Sequence, residues 1–223
     1  MLEVRQVMNR IETSLDLGTY RVGDWQKGLK ALKGLGQDQI LMLSPDLTRI
    51  SNKLHRRNHF AEAPAWMGFV FEYLLLVMSM LTMTVENTSV RVSSIILLAL
   101  CLQPLIKIST GMLLGVRYSY VYLWYVEPRF KMRFGTYHQL ARWQKLILQL
   151  SGSVGTPIAL LIGWSVLADA PLLSMLSLAG ALAVALMQVS AFVAVWFGVR
   201  KLGPFLLTNL TTPALLAKEW KEK

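Results

Sequence analysis

Four long apolar runs after residue 64 constrain the fold more than any other feature of the sequence. They extend over about 65–84, 92–116, 146–167 and 172–199. A bilayer core about 30 Å thick needs about 20 helical residues, so each run is long enough to cross it. Only short connections, 85–91 and 168–171, separate the members of each pair. The sequence therefore predicts an all-α polytopic membrane protein with four transmembrane helices in two antiparallel hairpins.

The remaining residues form three more polar segments around this predicted transmembrane domain of 65–199. Residues 1–64 are predicted to be a small helical segment, with apolar residues at helical spacing over Leu2–Leu17 and a helix start at Ser44-Pro45-Asp46. Its apolar stripes are narrow, so we expect it to pack on the membrane surface or on a partner. Residues 117–145 form a loop between the hairpins. Residues 200–223 are predicted to be an interfacial tail that ends in water.

The positive charges predict the orientation of the chain. Of the 23 lysines and arginines, 10 lie in residues 1–64, six in 117–145 and five in 200–223, whereas the short connections hold only Arg91. Because cytoplasmic loops of membrane proteins collect positive charge, both termini and the central loop are predicted to be cytoplasmic. A bacterial inner membrane is the expected location. Nucleic acid is not an expected partner, since residues 1–64 have a net charge of only +3.

Metal and disulfide chemistry are not expected from this sequence. Cys101 is the single cysteine, which excludes an intrachain disulfide and a cysteine-based zinc site. His55 and His59 have the i, i+4 spacing of two metal ligands on a helix, but this pattern alone is weak. We therefore predict no metal and no cofactor.

Two charged residues, Glu72 and Lys107, lie inside the predicted spans. A charge in the bilayer costs at least about 2.5 kcal/mol on the insertion scale, so each needs a partner. The two lie at similar depths in consecutive antiparallel spans, which makes a Glu72–Lys107 ion pair geometrically natural. Such a pair either locks the first hairpin or serves as a proton or ion site.

Uncharged polar and small residues extend this pattern along the predicted spans. The polar ones are Gln103, Gln149, Ser153 and Gln188. They are interpreted as interhelical hydrogen-bonding groups, with a cavity lining as the alternative. Gly152, Gly155 and Gly180 predict a face for close helix contact, either within the chain or with another subunit.

The central loop combines aromatic and basic residues. Tyr118, Tyr122 and Tyr125 are predicted to share one helical face and, with Trp124, to anchor the chain at the membrane interface; a cofactor or pigment pocket is the alternative. A basic cluster follows, formed by Arg129, Lys131, Arg133, His138 and Arg142. It is predicted to contact anionic lipid head groups or a protein partner, or to serve only as positive-inside charge.

Function is only weakly constrained by the sequence. We find no Gly-rich phosphate loop, no G-x-S-x-G motif and no H-E-x-x-H motif. The leading hypothesis is a non-catalytic membrane subunit that anchors or scaffolds a larger inner-membrane complex, with other membrane subunits or a second copy as partners. One alternative is a small transporter or channel using Glu72 and Lys107. Another is a lipid-head-group-modifying enzyme using Glu127 and His138 together with the nearby arginines.

Overall fold

The computed structural model describes residues 2–21, 23–57, 61–124, 127–199, 201–202, 205–206 and 212–221. Its helices are α1 (Leu2–Asp16), α2 (Asp24–Ala31), α3 (Gln37–Arg56), α4 (Ala65–Thr82), α5 (Thr88–Leu113), α6 (Phe134–His138), α7 (Arg142–Val166), α8 (Pro171–Trp196) and α9 (Thr212–Lys221). Its strands are β1 (Glu62–Pro64), β2 (Tyr118–Trp124), β3 (Glu127–Met132), β4 (Lys201–Leu202) and β5 (Phe205–Leu206).

Four helices, α4, α5, α7 and α8, are long and apolar enough to cross a membrane. They coincide with the four apolar runs of the sequence, so the all-α polytopic fold is confirmed. The chain divides into two compact units. We call residues 1–63 and 115–141 the head unit, and residues 64–114 and 142–223 the membrane unit.

The membrane unit is built around α5 and α7, which make its most extensive contact. Helix α4 packs on α5, and α8 packs on α7. Serine hydroxyls join the second hairpin, since Ser177 Oγ donates to Leu160 O and Ser174 Oγ to Trp164 O, both at 2.7 Å. Helix α9, in the predicted tail, packs on α8 and α7. Many large apolar side chains point outward, as a lipid-facing surface requires.

The head unit has a hydrophobic core made mainly by α1 and α3. Its buried members are Val4, Met8, Ile11, Leu32, Leu43, Leu47 and Ile50. Phe134, from the segment between the two hairpins, packs against this core and lies 5.3 Å from the Trp25 ring. Residues 1–63 thus cover their apolar face with another segment of the same chain.

The predicted helix start at Ser44-Pro45-Asp46 is wrong, because α3 begins at Gln37 and runs through Pro45. Leu43 and Leu47 are both fully buried, so the core holds the helix together on either side of the proline. Pro45 itself is exposed. The hydrogen bond that a proline cannot make therefore falls on the solvent side, where water can replace it.

The tyrosine-rich stretch is a strand, so the prediction of a shared helical face for Tyr118 and Tyr122 is wrong. Strand β2 pairs with β3 in antiparallel register, with Tyr120 opposite Lys131 and Tyr122 opposite Arg129. Tyrosines at alternate positions, with Val121 between two of them, favour a pleated strand. Strand β1 adds on the other side of β2.

Candidate functional site

A polar cluster in the head unit lies between the last turns of α3 and the β2–β3 hairpin. Lys131 Nζ donates a hydrogen bond to Ser51 Oγ at 3.0 Å, and Ser51 is only 5% exposed. Burial lowers the pKa of the Lys131 ammonium below its ordinary value. Lys131 is therefore a partly desolvated cation within the head unit.

His55 is the second titratable member of this cluster. Its Nδ1 is hydrogen bonded to the Tyr120 hydroxyl, with 2.9 Å between the two atoms. The imidazole also packs edge-on against the Tyr122 ring, with 4.2 Å between centroids. Burial lowers the pKa of His55, the charge of Lys131 lowers it further, and Glu62 opposes the shift. The site thus favours a neutral imidazole.

Arg56 links the cluster to its acidic neighbour. Its Nε lies 3.1 Å from Glu62 Oε2, and its guanidinium sits 5.6 Å from the centre of the Tyr120 ring. Burial raises the pKa of Tyr120 to about 12, so this phenol is neutral at physiological pH. These contacts join α3 to the β2–β3 hairpin. We call the cluster of Ser51, His55, Arg56, Tyr120 and Lys131 the polar latch.

The sequence indicates the α3 side of this latch only indirectly. Ser51 follows Leu47 by one turn of α3, and His55 follows Ser51 by another turn, so these two polar residues continue the edge of the apolar stripe. Polar residues at this i, i+4 spacing beside an apolar stripe are the signal that could have been found. The partners on the hairpin, Tyr120 and Lys131, are far away in sequence and could not be assigned from spacing.

The predicted basic cluster is divided by the structure. Lys131 is drawn into the latch, whereas Arg129 and Arg133 are exposed. The His138 ring packs on Phe134, with 4.4 Å between centroids. Arg142 begins α7 and belongs to the membrane unit.

Several predicted residues cannot be placed. His59 and Tyr125 lie outside the described residues, as do the side chains of Trp124 and Glu127. Within the described part of the chain, no three His, Cys, Asp or Glu side chains come together as a metal site.

The α5–α7 contact in the membrane unit brings together four of the polar and small residues. A Cβ added to Gly152 would lie 2.8 Å from Lys107 Cδ, and one added to Gly155 would overlap the backbone of Gln103. Gln103 Oε1 accepts a hydrogen bond of 2.9 Å from the Thr156 hydroxyl. The two glycines therefore let α7 approach the face of α5 that contains Gln103 and Lys107.

Other polar side chains are buried in the same unit. Glu72 on α4 is 1% exposed, and Gln149 and Lys145 on α7 are 2% and 6% exposed. Ser153 Oγ donates to Gln149 O at 3.2 Å. Lys145 lies at the predicted boundary between loop and span, so its position in the sequence did not predict burial.

Gln188 and Gly180 lie on α8, away from the α5–α7 contact. Within the described residues, the buried Gln188 Oε1 accepts no hydrogen bond. A Cβ on Gly180 would make an ordinary contact of 3.5 Å with Leu160 Cδ1. The packing of Gly180 is therefore much looser than that of Gly152 or Gly155.

No family model, curated protein or solved structure matches this chain.

Proposed function

We propose that this integral membrane protein is a non-catalytic subunit that anchors or scaffolds a larger membrane protein assembly. The observation that supports this proposal is how the head unit is built. Two segments of the chain, separated in sequence by a membrane hairpin, fold around one hydrophobic core. Three titratable side chains of the head unit, Lys131, His55 and Arg56, bond to other head residues. These bonds stabilise the folded head unit, and a surface that docks a partner protein requires such a stable fold.

The exposed arginines of the hairpin region are the proposed contact surface for a partner. Arg117, Arg129 and Arg133 are all exposed, and the Arg133 backbone N–H donates to Arg117 O at 2.7 Å. The head unit contains 14 lysines and arginines against eight acidic residues. An acidic protein surface is the complementary partner, and electrostatic attraction would speed its association.

Gentle-detergent purification of the tagged full chain, followed by mass spectrometry, tests this proposal. We expect a stoichiometric partner that is lost when Arg117, Arg129 and Arg133 are changed to glutamine. The matched control changes three other exposed head residues, Arg5, Arg10 and Lys30, to glutamine, and should retain the partner. A lone chain that is active after reconstitution, or a partner unaffected by the hairpin variant, would overturn the proposal.

We also propose that the head unit faces the cytoplasm of a bacterial cell, with the membrane unit in the inner membrane. The support is the concentration of positive charge in 1–64, 117–145 and 200–223. In a Cys101→Ser background, a cysteine at Lys30 should resist a membrane-impermeant maleimide in intact spheroplasts. One at Glu86 should react, and the reverse pattern would contradict this orientation.

A second candidate function, a small transporter or channel, is favoured by the buried polar residues of the membrane unit. Glu72, Lys145 and Gln149 are all at least nine-tenths buried inside a unit of membrane-spanning helices. Ionisable residues at such positions often mark an ion or proton path. A Glu72→Gln, Lys107→Met double variant should abolish flux in liposomes and preserve insertion. Lys201→Gln is the control. Unchanged flux in the double variant would exclude the transporter or channel function.

A further inference from the structure

A groove opens where the C-terminal end of α8 meets α9 in the membrane unit. Its volume is about 160 Å³, and the described residues lining it are Phe192, Val193, Trp196, Phe197 and Trp220. Phe192 and Trp196 stack with 5.8 Å between ring centroids, and Trp196 meets Trp220 edge-on at 6.4 Å. Val193 and Phe197 remain 42% and 79% exposed. The groove is thus a largely aromatic surface that protein does not fully cover.

A lysine lies beside this aromatic surface. Gly198 follows the C-terminal cap of α8 with a φ of +100°, which suits glycine, and a Cβ there would lie 3.2 Å from Lys221 Nζ. Lys221 Nζ donates a hydrogen bond of 3.1 Å to Trp196 O. An ammonium has three N–H donors, and among the described residues Trp196 O uses one of them, which leaves two for an acceptor on a ligand.

Trp220 supplies a second polar group. Its indole Nε1 is buried and has no hydrogen-bond acceptor in the part of the chain that the structure describes. A buried donor without an acceptor is costly. A rotation of the Trp220 ring that turns Nε1 towards an acceptor oxygen of a ligand in the groove would remove this cost.

The order of these groups along α8 matches the order of groups in a phospholipid. Phe192 and Val193 lie about one helical turn, or about 5.4 Å, deeper in the span than Trp196 and Phe197. Aromatic rings at the end of a span lie at the level of the lipid glycerol and head group. The ammonium of Lys221 on α9, which bonds to Trp196 O at the end of α8, lies at the level where a phosphate would be.

We propose that this groove binds one anionic phospholipid. The acyl chain lies along Phe192 and Val193, the Trp220 ring turns so that an ester carbonyl accepts its indole N–H, and the phosphate accepts hydrogen bonds from Lys221. Charge complementarity favours an anionic head group, since the lysine side chain is close to the groove. This site is separate from the arginines of the hairpin region and does not depend on the subunit function.

Native mass spectrometry of the full chain tests the site. The purified protein is titrated with phosphatidylglycerol and, separately, with phosphatidylcholine. We expect one phosphatidylglycerol per chain to bind at lower concentration than phosphatidylcholine. Lys221→Gln should weaken phosphatidylglycerol binding about tenfold, which corresponds to about 1.4 kcal/mol. Trp220→Phe, which keeps an aromatic ring and removes the donor, should weaken it by a smaller factor.

Matched controls separate the groove from general membrane anchoring. Lys201→Gln removes an exposed charge from the same tail, and Trp143→Phe changes an exposed tryptophan elsewhere in the unit. Both should bind phosphatidylglycerol as the parent chain does. Equal binding of the two lipids, or a Lys221→Gln variant that binds phosphatidylglycerol like the parent, would overturn the proposal. A folded Phe197→Ala variant with normal affinity would also exclude the groove.

Discussion

Arg91 Nη1 lies 2.7 Å from Asp169 Oδ2, so a salt bridge joins the first turn of α5 to the connection between α7 and α8. Arg91 Nε also donates to Val85 O at 2.8 Å, which fixes the guanidinium within its own hairpin. Arg91 is the only lysine or arginine in the two connections. The bridge places residues 85–91 and 168–171 at the same end of the membrane unit, and it gives the single positive charge of these two connections an acidic partner.

Breaking the Arg91–Asp169 bridge should destabilise the membrane unit modestly. We expect Arg91→Gln and Asp169→Asn each to lower the free energy of unfolding by about 1 kcal/mol or less, because Asp169 is 56% exposed. The double variant should cost less than the sum of the two. Thermal unfolding in detergent measures these changes in the free energy of unfolding. Glu86→Gln, which removes an exposed carboxylate, is the control. Strict additivity would show that the bridge contributes nothing.

Gly155→Ala should destabilise the membrane unit by about 1–3 kcal/mol, because the added methyl group would overlap the backbone of Gln103 and force α5 and α7 apart. Gly180→Ala is the matched control. Its methyl group would meet only Leu160 Cδ1 at an ordinary distance, so little change is expected. Thermal unfolding of both variants tests this prediction. Equal stability of the Gly155→Ala and Gly180→Ala variants would contradict the close α5–α7 contact.

Acidification should loosen the latch between α3 and the hairpin. The pKa of His55 is lowered in the folded chain, so the unfolded chain takes up this proton first as the pH falls. The stability that neutral His55 contributes is complete above the unfolded pKa of about 6.5 and is lost as the pH falls through the folded value. The protection of the β2 amides against hydrogen exchange, corrected for the intrinsic exchange rate at each pH, should therefore decrease below about pH 6.5.

His55→Gln is the variant for this test, since its side chain does not titrate. The protection factors of its β2 amides should vary less with pH over the same range than those of the parent chain. An identical pH dependence in the two chains would show that another group controls the hairpin.

Glu12 joins α1 to α3 by ion pairs with Arg49 at 2.8 Å and with Lys53 at 2.9 Å. The hydrogen bond from Arg49 is the largest cause that lowers the pKa of Glu12 to about 2. The stability that ionised Glu12 contributes to the folded head unit is present above about pH 4.3 and is lost as the pH falls towards the folded pKa. Because Arg49 is half exposed, Glu12→Gln should cost only about 0.5–1 kcal/mol at neutral pH.

Hydrogen exchange of the α1 amides measures the effect of Glu12→Gln. Exchange should be faster than in the parent chain at neutral pH, and the difference should shrink as the pH falls towards about 2, where Glu12 of the folded parent chain becomes protonated. Glu3→Gln removes an exposed carboxylate from the same helix and should leave exchange unchanged. A Glu12 variant that behaves like the Glu3 variant would contradict the role of the network.

The apolar runs by themselves determined the four transmembrane helices. A span of this length must satisfy its backbone hydrogen bonds internally, so a local property of the sequence is enough to predict a helix. The periodicity of Val4, Met8 and Ile11 likewise determined the apolar face of α1.

Only the tertiary structure decided what covers the head core and what each polar residue contacts. Phe134 reaches that core from a segment beyond the first hairpin, and Lys131 bonds to Ser51, which is 80 residues away. The tyrosine stretch became a strand because β3 was available to pair with it, and α3 continued through Pro45 because Leu43 and Leu47 are buried together. Such contacts depend on which distant segments meet, and periodicity within one segment carries no information about its partner.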